Sequence, residues 1–113
     1  MKAPTRESQI EQRLVKRVKQ EGGGVRKVKW IGRKNAPDRL VMLPDRHSGG
    51  IGYVDSWRDN CTIWVELKAP GLAATFPNNA HERAQHREHE RMRKMGQRVV
   101  VIDSYEQIEE LLK

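Results

Sequence analysis

Glu66 and Lys68 are the residues of this chain hardest to explain as packing. They close the run Ile63-Trp-Val-Glu-Leu-Lys68, which reads as a β-strand stopped by Pro70-Gly71. Side chains alternate along a strand, so Glu66 and Lys68 share one face, while Ile63, Val65 and Leu67 fill the other. A carboxylate and an ammonium near the middle of a small fold are costly unless paired or functional. The pair is therefore either a salt bridge on a strand end emerging into solvent or part of a site. Asp38 bears on the choice. Pro37 fixes the backbone just before it, and it leads into the apolar run Leu40-Val-Met-Leu43. Two strands joined by one connection are expected to be antiparallel neighbours. The start of the first then lies beside the end of the second, and Asp38 comes next to Glu66 and Lys68. Two carboxylates there would bind a hard cation through oxygen, with an ammonium alongside. Magnesium fits, since it commonly uses one or two carboxylates, several waters and phosphate oxygens. The chemistry would be phosphodiester hydrolysis. The cation polarises the ester and acidifies its bound water, and the lysine orients or deprotonates that water or stabilises charge on phosphate.

The composition points the same way. Lys and Arg total 22 and Asp and Glu 15 in 113 residues, a formal net charge of +7. A small chain this basic is expected to have a polyanionic partner, nucleic acid or an acidic membrane surface. No stretch approaches the roughly 20 apolar residues of a membrane span, and Met1 to Gln20 lacks the apolar core of a signal peptide. The expectation is a soluble cytoplasmic protein. The length suits a single domain over residues 1–113. Cys61, the only cysteine, excludes an intramolecular disulfide and a Cys-based zinc site. At the head of Cys61-Thr-Ile-Trp-Val it reads as a packed strand thiol rather than a nucleophile.

The elements that must position these residues follow from periodicity. Thr5 can cap a helix on which Ile10, Leu14 and Val18 form one apolar stripe, ended by Gly22-Gly23-Gly24. Glu11 borders that stripe and, taken alone, reads as a surface carboxylate pairing with Lys16 or Arg17. Val25, Val28, Trp30 and Ile31 suggest a short strand with Lys27 and Lys29 facing the other way. Leu40 to Leu43 reads as a strand buried on both faces. Pro44 to Asn60 is a long connection carrying Tyr53 and Trp57, which pack on the sheet or stack on bases. Asn78 or Asn79 caps a charged helix from Ala80 to Met95, anchored by Ala84, Met92 and Met95 and stopped at Gly96. Val99 to Ile102 is a second apolar strand. Ser104 with Gln107 makes a capping box for a last helix that buries Ile108, Leu111 and Leu112.

The pattern Pro37-Asp38 … Glu66-Leu67-Lys68 matches the PD-(D/E)xK nuclease motif. More of the chain agrees: Ser8-Gln-Ile-Glu11 with Leu14-Val-Lys-Arg-Val18, Ala36-Pro-Asp-Arg-Leu40, Val65-Glu-Leu-Lys-Ala-Pro-Gly71, Gln85, and Arg98-Val-Val-Val-Ile-Asp-Ser104. Together these resemble a VRR-NUC domain, most of all the small stand-alone kind of phages and bacteria, over nearly the whole chain. The resemblance implies an α/β restriction-endonuclease-like core in the order helix, three strands, helix, strand, with a short C-terminal helix and a mixed sheet. It implies that Glu11 joins the site from the first helix, that Asp38 and Glu66 are metal carboxylates, and that Lys68 is the catalytic lysine. It further implies that the main-chain carbonyl of Leu67 completes the shell of Mg2+ or Mn2+ and that Gln85 approaches from the second helix. A homodimer cutting branched DNA such as four-way junctions is the implied partner and substrate. The longer connection over 44–60 and the polar run His86-Arg-Glu-His89 depart from that pattern.

His81, Gln85 and His89 share a helix face, and paired imidazoles at such spacing can bind zinc. Contact with phosphate or a solvated face is the expectation here, because the cation wanted is hard. A rival reading of the whole chain is a non-catalytic nucleic-acid-binding module whose carboxylates and Lys68 form a structural ion network. A third is an RNA-processing nuclease with the same chemistry. Without a cation, Glu11, Asp38 and Glu66 would repel one another.

Overall fold

The computed structural model describes residues 6–44 and 62–113. The Thr5 cap, Tyr53, Trp57 and Cys61 lie outside the described residues. The first helix, α1 (Glu7–Gln20), buries Ile10, Leu14 and Val18 as its spacing predicts. The Arg6 backbone N–H at its start donates to Gln9 Oε1 at 2.8 Å. It ends in a left-handed turn at Gly22, with φ of 88°, and Gly23 N–H closes back onto the Val18 carbonyl. Gly23 admits no side chain, since a Cβ there would run into the Met42 carbonyl oxygen.

Four strands follow: β1 (Gly24–Lys27), β2 (Arg39–Met42), β3 (Thr62–Leu67) and, after the helix α2 (Ala80–Lys94), β4 (Arg98–Ile102). The sheet order is β1-β2-β3-β4. The β1/β2 and β2/β3 pairs are antiparallel, and β3/β4 is parallel with α2 as the crossover. This is the mixed α/β order expected. Two strand expectations need correction. β1 stops at Lys27, and Ile31 is 92% exposed in the turn beyond it. Trp30 leaves the strand because its indole N–H is held by the Pro37 carbonyl at 2.8 Å. β2 is not buried on both faces: Val41 is fully buried, but Met42 points to the opposite, open face and is 38% exposed.

The core lies between the sheet and the first and last helices. Ile10, Leu14 and Val18 meet Val41, Ile63, Val65 and Ile102, and α3 (Tyr105–Leu111) closes the cluster with Ile108, Leu111 and the adjoining Leu112. A two-point clip reinforces this layer: Arg17 donates to Glu109 at 2.7 and 2.9 Å. That contact holds the Glu109 carboxyl below the ordinary glutamate range. The capping box at α3 is displaced by one residue. Ser104 accepts from Gln107 N–H, but Gln107 Oε1 accepts from Asp103 N–H rather than from Ser104.

The helix α2 packs on the other face, over β4. Asn79 caps it by accepting from Glu82 N–H at 2.8 Å. Its buried face is Gln85, Glu88, His89 and Met92, so of the three expected apolar anchors only Met92 is buried. Ala84 is only half-buried, and Met95 is 69% exposed. The polar face turns inward because the strand beneath it presents Glu66 and Lys68. Glu88 is buried between two guanidiniums: Arg33 donates to both its oxygens and Arg91 Nε reaches it at 2.9 Å. Hydrogen bonding to Arg33, then to Arg91, outweighs burial and lowers the Glu88 pKa.

Candidate active site

In the β2/β3 register Arg39 faces Val65, so one further residue sets Asp38 opposite Glu66. The burial of Ile63, Val65 and Leu67 turns Glu66 to the α2 side of the sheet, and Lys68 follows it there. The Lys68 backbone N–H donates to the Ile102 carbonyl at 2.9 Å, which fixes that residue at the end of the parallel pair.

Each charged group has a defined partner. Lys68 Nζ donates to Gln85 Oε1 at 2.8 Å, lies 3.4 Å from Glu82 Oε2, and sits 5.1 Å from the centre of the Phe76 ring. Only 12% of its side chain is exposed, so the ammonium is held by a carboxylate, an amide oxygen and a π-face rather than by bulk water. Glu66 Oε1 lies 3.3 Å from His89 Nε2. The His89 ring is wholly buried and lies against Phe76, 5.7 Å between centres and 22° between planes. On the other side, Arg39 binds Glu11 across from α1 and reaches Asp38 Oδ1 through Nη1 at 2.8 Å. Burial works against the Arg39 charge, but the hydrogen bond to Glu11 and the charge of Asp38 prevail and raise its pKa.

The structure thus brings Lys68 and Gln85 into contact, and joins Glu11 to Asp38 through Arg39. It does not gather Glu11, Asp38 and Glu66 at one point. Among the described residues, no three His, Cys, Asp or Glu side chains are placed to hold a metal ion between them. The expected repulsion between Glu11 and Asp38 is answered by Arg39. Glu11 does not pair with Lys16 or Arg17; Arg17 is engaged with Glu109. His89 is neither solvated nor placed for phosphate, because its ring is sealed under Phe76; His81 is exposed.

Sequence reasoning missed Arg39, Glu82 and Phe76 as members of this cluster, and it set His89 on the Gln85 face without showing that it is buried against Glu66. Glu82, Gln85 and His89 recur at i, i+3 and i+7, so Glu82 could have been read onto the face already assigned to Gln85 and His89. Phe76 sits in a loop and carries no periodic signal.

The donor set suits a hard cation. Asp38 and Glu66 offer oxygen only, on adjoining strand ends, as does the Leu67 carbonyl. A cation that takes Asp38 must compete with Arg39 for it.

Pro-Asp at the mouth of one strand and Glu-x-Lys at the end of its antiparallel neighbour, with a helix crossing to a parallel fourth strand, define the PD-(D/E)xK class of fold. The chain belongs to the VRR_NUC family. It is 31% identical to a solved VRR_NUC domain, with a TM-score of 0.65, covering 96% of this chain and 95% of that one. It is also 39% identical over 99 residues to Putative nuclease p44 of Acyrthosiphon pisum secondary endosymbiont phage 1, covering 88% of this chain and 84% of that protein. No protein-family model matches the sequence.

Proposed function

We propose that this protein is a Mg2+- or Mn2+-dependent DNA endonuclease that cuts branched DNA, four-way junctions above all, as a homodimer. The observation that carries the hydrolytic reading is the facing of Asp38 and Glu66 across β2 and β3, with the Lys68 ammonium braced by Gln85 and Glu82 at the same sheet end. When bound, the cation polarises the phosphodiester and lowers the pKa of its water. Asp38, Glu66 and the Leu67 carbonyl would hold it, and Glu11 would join them by leaving Arg39. The chain's own work is orientation and charge. Lys68 points one N–H at the attacking water or at a phosphate oxygen, and Gln85 and Glu82 keep it from turning away. Water attacks phosphorus in line and gives up a proton to solvent, a new P–O bond forms as the P–O3′ bond breaks, and the 3′ oxygen leaves as a hydroxyl on taking a proton from solvent.

The branched-DNA part rests on charge and symmetry. A chain at +7 binds the backbone without reading bases. A two-fold dimer would set two sites on opposed strands of a two-fold junction. A VRR_NUC domain and a relative named as a nuclease support the reading at its coarsest level.

A second reading, a nucleic-acid-binding module without catalysis, has one observation in its favour: Glu11, Asp38, Glu66 and Lys68 all have protein partners already. Incubation with linear, flap and four-way-junction DNA, in magnesium, manganese or EDTA, separates the two. Cleavage that needs a divalent ion and favours the junction is expected. Binding without cleavage under every ionic condition would establish the second reading, and equal cleavage of linear DNA by a monomer would remove the junction and the dimer.

A further inference from the structure

Two residues before Glu66, on the same face of β3, Trp64 leans against Trp30, with 5.1 Å between ring centres and 43° between planes. The pair walls an open groove of about 650 Å³. Small-molecule sites span roughly 300–1,000 Å³. Arg33, Arg91 and Lys94 stand on its rim, and the exposed Met95 lines it as well. Both indoles are anchored by their polar edges. Trp30 donates to the Pro37 carbonyl at 2.8 Å and Trp64 to Gln97 Oε1 at 3.3 Å. Rings held in this way lose little freedom when something stacks on them.

We propose that this groove is a subsite for unpaired nucleotides, with bases stacked on Trp30 and Trp64 and phosphates met by Arg33, Arg91 and Lys94. Every base has a π-face, so an aromatic platform beside cations takes single strands of any sequence. The rim's charge chooses the occupant. Three cations stand against one carboxylate, Glu88, which is buried and engages Arg33 and Arg91 from beneath. The two guanidiniums remain 48% and 55% exposed, with donors left to face outward. A second copy of a chain at +7 is a poor match for such a rim; a polyanion with flat apolar faces is a good one. The anchors also place the groove. Trp30 hangs from Pro37, which precedes Asp38, and Trp64 shares a strand with Glu66. The subsite therefore adjoins the candidate active site and would hold the unpaired strand next to a branch point. That last placement rests on the nuclease reading; the stacking does not.

The test is fluorescence anisotropy in EDTA with the full chain, comparing a short labelled oligothymidylate with a blunt duplex of equal length. Trp64→Leu is expected to weaken oligothymidylate binding about ten-fold, the scale of one lost base–aromatic stack, with a much smaller effect on the duplex. Lys94→Glu should weaken oligothymidylate binding and flatten its salt dependence. Unchanged oligothymidylate affinity in a Trp64→Leu protein that still melts cooperatively overturns the proposal. If Trp64→Leu does not fold, Lys94→Glu and Met95→Glu decide, since both positions are exposed, and unchanged affinity in both overturns it equally. A Trp64→Leu protein that passes from dimer to monomer in sedimentation with no loss of oligothymidylate binding would make the groove a self-interface instead. A wild type that binds oligothymidylate through Trp64 but cuts no DNA would sink the nuclease reading and leave the groove standing. A wild type that cuts DNA while Trp64→Leu binds as before would do the reverse.

Discussion

His89 and Glu66 meet 3.3 Å apart beneath α2, the imidazole wholly buried and the carboxylate only 13% exposed. His89 Nδ1 has no hydrogen-bond partner among the described residues. A bare lone pair costs less to bury than an unpaired N–H, so the proton belongs on Nε2, donating to Glu66. His89 is then a positioning residue that fixes one carboxylate oxygen and leaves the other free. His89→Phe keeps a ring against Phe76 but removes the donor. It should fold with a modest change in melting temperature yet cut DNA at least several-fold more slowly, whereas His89→Gln, which keeps an N–H, should recover part of the rate. Equal cleavage rates for wild type and His89→Phe would show that Glu66 needs no such support.

Catalysis should depend on Asp38, Glu66 and Lys68 without folding depending on them. Asp38→Asn, Glu66→Gln and Lys68→Ala are each expected to lose most cleavage, about 100-fold or more by analogy with other positioned acid–base groups, and to retain junction binding in a gel-shift assay. Near wild-type cutting by Lys68→Ala at saturating metal would refute its assignment.

Arg39 makes a different prediction. It stands between Glu11 and Asp38, so Arg39→Gln leaves two carboxylates without their counter-charge and should cost about 1–3 kcal/mol in urea unfolding without metal. Magnesium or manganese should raise the melting temperature of the wild type, since binding favours the folded form. The rise should be larger in Arg39→Gln, where no guanidinium competes for Asp38, and largely absent in Asp38→Asn. A melting temperature indifferent to metal in all three proteins would count against these carboxylates as ligands.

Glu88 supplies a pH dependence remote from the carboxylates of the site. Its folded pKa lies below the ordinary glutamate value because Arg33 first, then Arg91, bind its charged form. A depressed carboxyl stabilises the fold fully above the unfolded pKa and loses that contribution as pH falls through the folded one. Glu88→Gln should therefore cost about 1–3 kcal/mol near neutrality. The gap between variant and wild type should narrow on acidification below about pH 4. Urea titrations at several pH values measure it; a gap that widens in acid would mean the sign is wrong.

Much of this was legible in the residue order because alternation and register are local rules. Ile63, Val65 and Leu67 forced Glu66 and Lys68 to one face, and a single connection between two strands put Asp38 opposite Glu66. What escaped were contacts set by tertiary docking. The α2 stripe of Glu82, Gln85 and His89 is polar, so apolar periodicity found Met92, which is buried, but also Met95, which faces solvent. Arg39 sits beside Asp38 in the sequence, but only the packing of α1 on the sheet shows that it reaches Glu11. Trp30 looked like strand because nothing in the sequence reveals that its indole is tied to the Pro37 carbonyl.

The clip between Arg17 and Glu109 joins residues 92 positions apart. Glu11 rides on the same helix as Arg17, and that helix is seated partly on Ile108, Leu111 and Leu112. A ribosome that has delivered everything through α2 has still not supplied β4, which pairs with the strand bearing Glu66, or the helix on which α1 rests. The nascent chain therefore carries every polar side chain of the candidate site, from Glu11 to His89, before the strand and helix that support them have been made. Competence arrives only once β4 and α3 have followed α2, and a polypeptide lacking α3 should be inert as well as unstable.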